Sequence, residues 1–472
     1  MDELAELDGM ALSALIAKGE LSALEALDAS IERIERLNPS INAVVHAHFD
    51  LAREQVRHVL PKGPLSGVPM LLKNTGFEAT GMILSTGSEL HRHTVSQRDS
   101  TITARYKAAG MVILGKSNTP EFALSFTAEP EAFGATRNPW DLERTSGGSS
   151  GGSTAAVASG MVPVANSSDG AGSTRLPASH CGLFGLKPSR LVNPVGPVAA
   201  EAIAGMSTPH AVTWSVRDSA AMLDATGGPD LGDPWASPAR PGTYLAALGA
   251  LPPRLKVAML LKPPTGTPVD AEVLAEVRAA ARLLEGLGHQ VTEIDDAGYD
   301  GEALKAAWRV IAGVNVGLGA AGGDPGSPNI ARLEPVNQEW VREGLATSGT
   351  RYLWAVNQLH ASARAMGRFF SQYDIMLTPS AAEAAPKIGT LAGAGKSLDA
   401  FFDQFWAHSP FTAVFNTSGC PAMSVPLGMT PGGLPVGVHF GAGFGKDALL
   451  LSLAAELERA APWAGRRPPV PG

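Results

Sequence analysis

Residues Thr145 to Arg175 read TSGGSSGGSTAAVASGMVPVANSSDGAGSTR, and no other stretch constrains the fold as much. It holds two turns of small residues, Gly147-Gly148-Ser149-Ser150-Gly151-Gly152 and Gly170-Ala171-Gly172-Ser173. Between them runs an Ala/Val-rich segment, Ala155 to Val164. Glycine lets a backbone turn sharply and lets another group come close to main-chain N–H groups. The small side chains after Gly152 suit a helix packed tightly on a sheet, and Val162-Pro163-Val164-Ala165 suits a strand entering the second turn. Serines held on such turns are candidates for a nucleophile and a proton relay. Upstream, the stretch Gly67-Val68-Pro69-Met70-Leu71-Leu72-Lys73-Asn74 carries an apolar run into a lysine. It predicts a buried strand from Val68 to Leu72, and burial favours the neutral, basic form of Lys73.

The remaining pattern alternates helix and strand. Residues 7–19 predict a short amphipathic helix ending near Gly19. Ser22-Ala23-Leu24-Glu25 has the form of a capping box, and Leu24, Leu27, Ile31 and Ile34 recur at helical spacing until Asn38-Pro39, where the helix should stop. A helix over 97–109, strands over 111–114 and 257–261, and helices over 271–287 and 449–461 follow from the same periodicities. Residues 315–350 are rich in Gly, Asn and Pro and give no firm reading, and the Pro-rich tail after Pro462 should be extended. No internal repeat is present. The alternation predicts an α/β fold, a large mixed sheet with helices on both faces. By length alone, 472 residues would suggest about three domains, but large α/β folds often run as one. A single domain over 1–472 is the expectation.

Bulk properties narrow the function. A hydrophobic content of 44% with 17% charged residues fits a well-buried soluble chain and argues against disorder. The net charge of −8 and the lack of a long basic run make nucleic acid an unlikely partner. Cys181 and Cys420 lie far apart in sequence and read as buried thiols of a reducing compartment. No CxxC or HExxH spacing offers a metal site, and no cofactor is expected. The acidic start lacks the basic and apolar regions of a signal peptide, and no apolar run is long enough to span a bilayer. The expectation is a cytoplasmic protein that does not enter membranes, with a homodimer as the working assembly.

GVPMLLKN, GGSSGG and DGAGSTRLP together resemble the amidase signature family of amide hydrolases. CGLFGLKPSR (181–190), DIMLTPS (374–380) and the stretch from Phe415 to Phe440 are similar to later family landmarks, so the resemblance spans nearly the whole chain. The core lies at about 65–195, and the segment from about 230 to 345 is least family-like. GKSNTPEF and RNPWD look nearest the branch that includes the 6-aminohexanoate cyclic dimer hydrolases. The resemblance implies Ser173 as nucleophile and Ser149, behind a cis peptide bond, as relay. It implies Lys73 as the ultimate base and Gly170, Ala171, Gly172 and Ser173 as the oxyanion turn. Asp169 and Arg175 would orient that turn. The substrate would be a small-molecule amide. A lysine with a pKa of about 10.4 resists neutrality at pH 7 by roughly 4–5 kcal/mol, which burial must largely supply. Three positions depart from the family pattern: Asn74 for aspartate, Ala171 for glycine and Thr174 for isoleucine. Asn74, carrying no charge, should let Lys73 lose its proton more readily than aspartate would.

Other readings of the turns compete. Neither turn carries the lysine of a P-loop, and Arg175 stands where a dinucleotide fingerprint needs glycine. Gly147-Gly148-Ser149-Ser150-Gly151 does fit the G-x-S-x-G nucleophile elbow of α/β-hydrolase esterases, with His408 or His439 as base. The residues before it, Trp140 to Ser146, are too polar for the strand an elbow requires. The amidase component of a tRNA-dependent amidotransferase would share the core, but its tyrosine-rich C-terminal stretch has no counterpart in a chain with 5 tyrosines. A non-catalytic scaffold is the third alternative. Phe401, Phe402, Phe405, Trp406 and Phe411 read as pocket or core, Phe122 to Thr127 as cleft lining, and the pairs His46/His48 and His91/His93 as solvated.

Overall fold

Thirteen strands and their connecting helices were traced in a computed structural model, which describes residues 2–233, 235, 237–238 and 242–469. The strands are β1 (Val44–Ala47), β2 (Pro69–Lys73), β3 (Val112–Ser117), β4 (Arg137–Asn138), β5 (Asp141–Thr145), β6 (Val164–Asp169) and β7 (Phe184–Lys187). They continue as β8 (Thr208–Thr213), β9 (Lys256–Leu260), β10 (Gln290–Ile294), β11 (Ile375–Pro379), β12 (Ala422–Met429) and β13 (Pro435–Ala442). Eleven form one sheet in the order β1-β3-β2-β6-β8-β7-β12-β13-β11-β9-β10, and β4 and β5 make a separate hairpin. The large sheet is mixed. β3, β2 and β6 run parallel, as do β11, β9 and β10, while the strands between them pair antiparallel.

Side chains of a strand alternate between faces, and here both faces are covered. Leu71, Val112 and Leu114 pack with Leu27, Ile31 and Ile34 of the helix Ala23–Ile41 and with Ala155 to Ala158. Their neighbours Met70, Leu72 and Ile113 pack on the other side with Ile102, Tyr106 and Met222. The same division recurs in the second half, where Ala258, Leu260 and Met376 join one core and Val257, Met259, Ile375 and Leu377 another. The expected α/β architecture with helices on both faces is therefore the one observed.

Several boundaries move. The capping box forms as expected, with Glu25 N–H donating to Ser22 Oγ at 3.1 Å and Ser22 N–H to Glu25 Oε2 at 2.8 Å. The helix does not stop at Asn38-Pro39 but runs to Ile41. Pro39 forfeits one N–H in the last turn, and left-handed Asn42 closes the helix by donating to Asn38 O at 2.8 Å. The helix expected over 97–109 begins only at Thr101, capped by Ser100. Residues 315–350 are largely helical, in Gly301–Ala321, Pro335–Leu345 and the start of Gly349–Phe369. Their glycines are used for close packing: a Cβ on Gly344 would lie 2.0 Å from the Gly313 carbonyl oxygen. Of the Pro-rich tail, 470–472 lie outside the described residues. Cys181 and Cys420 are both buried and free.

Candidate active site

Lys73 closes β2 and Asp169 closes β6, neighbouring parallel strands paired in the register Met70↔Val164 and Leu71↔Ala165. Their carboxyl ends therefore share one edge of the sheet, where open α/β folds place their ligands. The helix Gly151–Ala158 precedes β6, so its first turn delivers the Gly147–Gly152 loop to the same edge. The helix Arg175–Cys181 follows β6 and delivers the second turn.

Lys73 is fully buried, and its Nζ lies 2.7 Å from Ser149 Oγ and 3.1 Å from Ser168 Oγ. Burial brings its pKa down to about 7, against an opposing pull from Asp169. The Gly148–Ser149 peptide bond is cis. A Cβ on Gly148 would stand 2.5 Å from Thr127 N, so Phe126 and Thr127 press directly on this turn. Thr119 Oγ1 donates to Ser149 O at 2.9 Å. Ser150 N–H donates to Ser173 O at 3.1 Å, which ties the two serine turns together.

The second turn is braced from below. Burial alone would raise the Asp169 carboxyl, but the Arg175 guanidinium overrides it and holds the group well below the usual carboxylate range. Arg175 donates through Nε and Nη2 to the two Asp169 oxygens at 2.9 and 2.8 Å, with both side chains fully buried. Asp169 also accepts from Gly172 N at 2.7 Å and Thr174 N at 3.1 Å. Gly172 has φ +142°, and a Cβ there would lie 2.6 Å from Thr412 Oγ1. Ala171 is not among the described non-glycine residues with positive φ, so its methyl group is compatible with the turn. Thr174 Oγ1 donates to Ser167 Oγ at 2.9 Å, a polar contact that isoleucine could not make.

The structure brings Lys73, Ser149, Ser173, Gly170, Ala171, Gly172, Asp169 and Arg175 to one edge. Sequence reasoning missed Thr412 and Asn416, and considered His439 only as the base of an esterase. Asn416 Nδ2 donates to Asp169 O at 2.8 Å, and Arg175 Nη1 lies 3.0 Å from His439 Nε2. Asn416 and His439 fall inside the Phe415–Phe440 landmark, which was the available signal. Asn74 corrects an expectation. Its side chain turns to Ser85, accepting from Ser85 N at 2.9 Å and meeting Ser85 Oγ at 2.5 Å. Ser85 Oγ in turn meets His46 Nε2 at 3.0 Å. Neighbours on a strand point to opposite faces, and Asn74 serves this second network. His46 is accordingly half-buried rather than free in solvent; burial and the nearby positive groups lower its pKa to about 4. His48 Nε2 accepts from Ile83 N at 3.2 Å, and His91 packs edge-on to Phe122, while His93 is exposed.

The esterase elbow does not fit this geometry. The segment before Ser149 is the polar hairpin β4–β5, outside the main sheet. His408 Nε2 meets His180 Nε2 at 3.0 Å and His439 meets Arg175 and Thr378, so neither touches Ser149. Among the described residues, no group of three or more His, Cys, Asp or Glu could hold a metal ion, and no helix is long and apolar enough to cross a membrane.

The family model described as Amidase matches residues 25–451. The chain belongs to the amidase signature family. A 6-aminohexanoate-cyclic-dimer hydrolase of Paenarthrobacter ureafaciens is 37% identical, over 98% of this chain and 96% of that protein. A solved structure of 6-aminohexanoate cyclic dimer hydrolase superposes with a TM-score of 0.92 at 37% identity, covering 99% of both chains. A bacterial aryl acylamidase of the same family shares the fold at greater distance, with a TM-score of 0.88 and 25% identity over 97% of both chains. This amidase is a hydrolase of non-peptide carbon–nitrogen bonds in linear or cyclic amides.

Proposed function

We propose that this amidase works through an acyl-enzyme on Ser173, with Ser149 and Lys73 as its proton relay. The observation that carries the reading is a buried lysine, pKa about 7, 2.7 Å from Ser149 Oγ. Neutral Lys73 takes the Ser149 hydroxyl proton as Ser149 takes that of Ser173. Ser173 Oγ then adds to the substrate carbonyl carbon, and the resulting oxyanion meets N–H groups of the second turn. Collapse breaks the C–N bond, with the proton returned through Ser149 to the leaving nitrogen. Water, deprotonated along the same path, releases the acid and restores Ser173. Asp169 and Arg175 keep the turn in shape.

The substrate we infer is a cyclic amide with aliphatic spacers, like that named for the 37%-identical relative. Phe126 stacks on Phe405 at 3.8 Å beside the turns, and the wall behind them is aromatic, which suits an uncharged, apolar spacer. The two buried thiols support a reducing, cytoplasmic setting. A panel of cyclic, linear aliphatic and aryl amides tests the substrate, with Ser173→Ala as the blank. Turnover of the cyclic oligoamides is expected to lead the panel. Preference for a short linear or aryl amide would overturn the assignment.

A further inference from the structure

We propose that Trp308 is a positioning residue for the oxyanion turn: its indole N–H holds the Gly170 carbonyl and so aims the Ala171 N–H at the reacting carbonyl. The inference rests on the acyl-transfer reading above. A trans peptide unit is planar, and its C=O and N–H point in opposite directions. The peptide units from Gly170 to Ser173 are trans, so each carbonyl tether sets the direction of the following N–H. In the first unit, Trp308 Nε1 donates to Gly170 O at 3.0 Å. In the second, the Thr412 hydroxyl donates to Ala171 O, and Gly172 N–H goes to Asp169 Oδ1 at 2.7 Å, so both ends are taken. In the third, Leu176 N–H donates to Gly172 O at 2.8 Å. Two N–H groups, those of Ala171 and Ser173, are thus aimed by tethered carbonyls and engage no acceptor among the described residues. The third unit is tethered by the turn's own helix. The first is tethered by a side chain arriving from the helix Gly301–Ala321, in the segment least like the family.

Trp308 is built to stay in place. It is 4% exposed, and the rings of Trp340, Phe402, Phe405 and Trp406 surround it at 5.3 to 6.2 Å. Trp340 supplies an internal control. It is buried too, in the same cluster, yet its N–H donates to Arg309 O at 3.2 Å, away from the turn.

The experiment compares Trp308→Phe and Trp340→Phe in steady-state hydrolysis of an amide the wild type cleaves. It also measures inhibition by the matching trifluoromethyl ketone, which adds to a serine hydroxyl and presents an oxyanion. Losing one oxyanion donor outright costs about 100–1,000-fold, so misaiming one should lower kcat by ~10–100-fold with KM within ~3-fold. Ketone affinity should fall in parallel for Trp308→Phe and stay within ~3-fold for Trp340→Phe. Should Trp308→Phe not fold, benzothienylalanine at position 308 keeps the ring frame and removes only the N–H. Unchanged kcat and ketone affinity in a folded Trp308 variant, or equal losses in Trp340→Phe, would overturn the proposal. Failure of the ketone to inhibit the wild type would instead remove the acyl-transfer reading itself.

Discussion

Among the described residues no carboxylate makes a hydrogen bond to Lys73, and burial, the dominant influence on it, brings its pKa to about 7. The pH dependence follows with a definite sign. Below that pKa the ammonium cannot accept a proton, so kcat/KM should rise through an acid limb near pH 7 and level off above it. Lys116 is also held at about 7, but its Nζ meets the Phe77 carbonyl, away from the serines. Lys116→Met should therefore leave the limb in place wherever the variant folds, which assigns it to Lys73. Asn74→Asp should move the limb by less than one pKa unit, about 1.4 kcal/mol, because residue 74 faces Ser85 and His46. A larger upward shift would show that a carboxylate at 74 reaches Lys73 after all. Sequence alone left the direction of this side chain open. It showed adjacency along the chain, while the strand pleat decides which face each side chain serves.

At the scale of elements, the second glycine turn draws its shape from parts that are remote in sequence. Gly172 needs its positive φ, and a side chain there would strike Thr412 Oγ1. Gly172→Ala should cost about 1–3 kcal/mol and most of the activity. Gly170 is the contrast, since a Cβ there would meet Ile203 Cδ1 at an ordinary 3.5 Å, and Gly170→Ala should retain activity. Equal behaviour of the two variants, read by thermal melting and kcat/KM, would remove the argument. The two turns and the strand into Lys73 were legible because their chemistry is local: glycine, serine and an apolar run within a few residues. Thr412 and Asn416 were not, because they lie more than two hundred residues from the groups they hold. Local signals misplaced Pro39 and the start at Thr101 for a related reason. A proline in a last turn, and a serine cap three residues inside an apparent helix, look the same until the next element is packed on.

The whole molecule is threaded through one sheet, with strands drawn from Val44 to Ala442. Cutting the chain near its middle would break the β7–β12 pairing, bare an edge on each half of the sheet and part Asp169 and Arg175 from Asn416. We therefore infer one domain, and calorimetry should give a single transition whose van't Hoff and calorimetric enthalpies agree. Two resolved transitions would divide it. At the same scale sits the central claim, that this scaffold exists to bring a buried neutral lysine, a relay serine and a nucleophilic serine to one strand edge. The most direct measurement is to treat the enzyme with a serine-reactive fluorophosphonate and map the adduct by tandem mass spectrometry. The account predicts one adduct, on Ser173, forming in wild type and lost in Ser173→Ala. An adduct on Ser149, or undiminished labelling of Ser173→Ala, would contradict it.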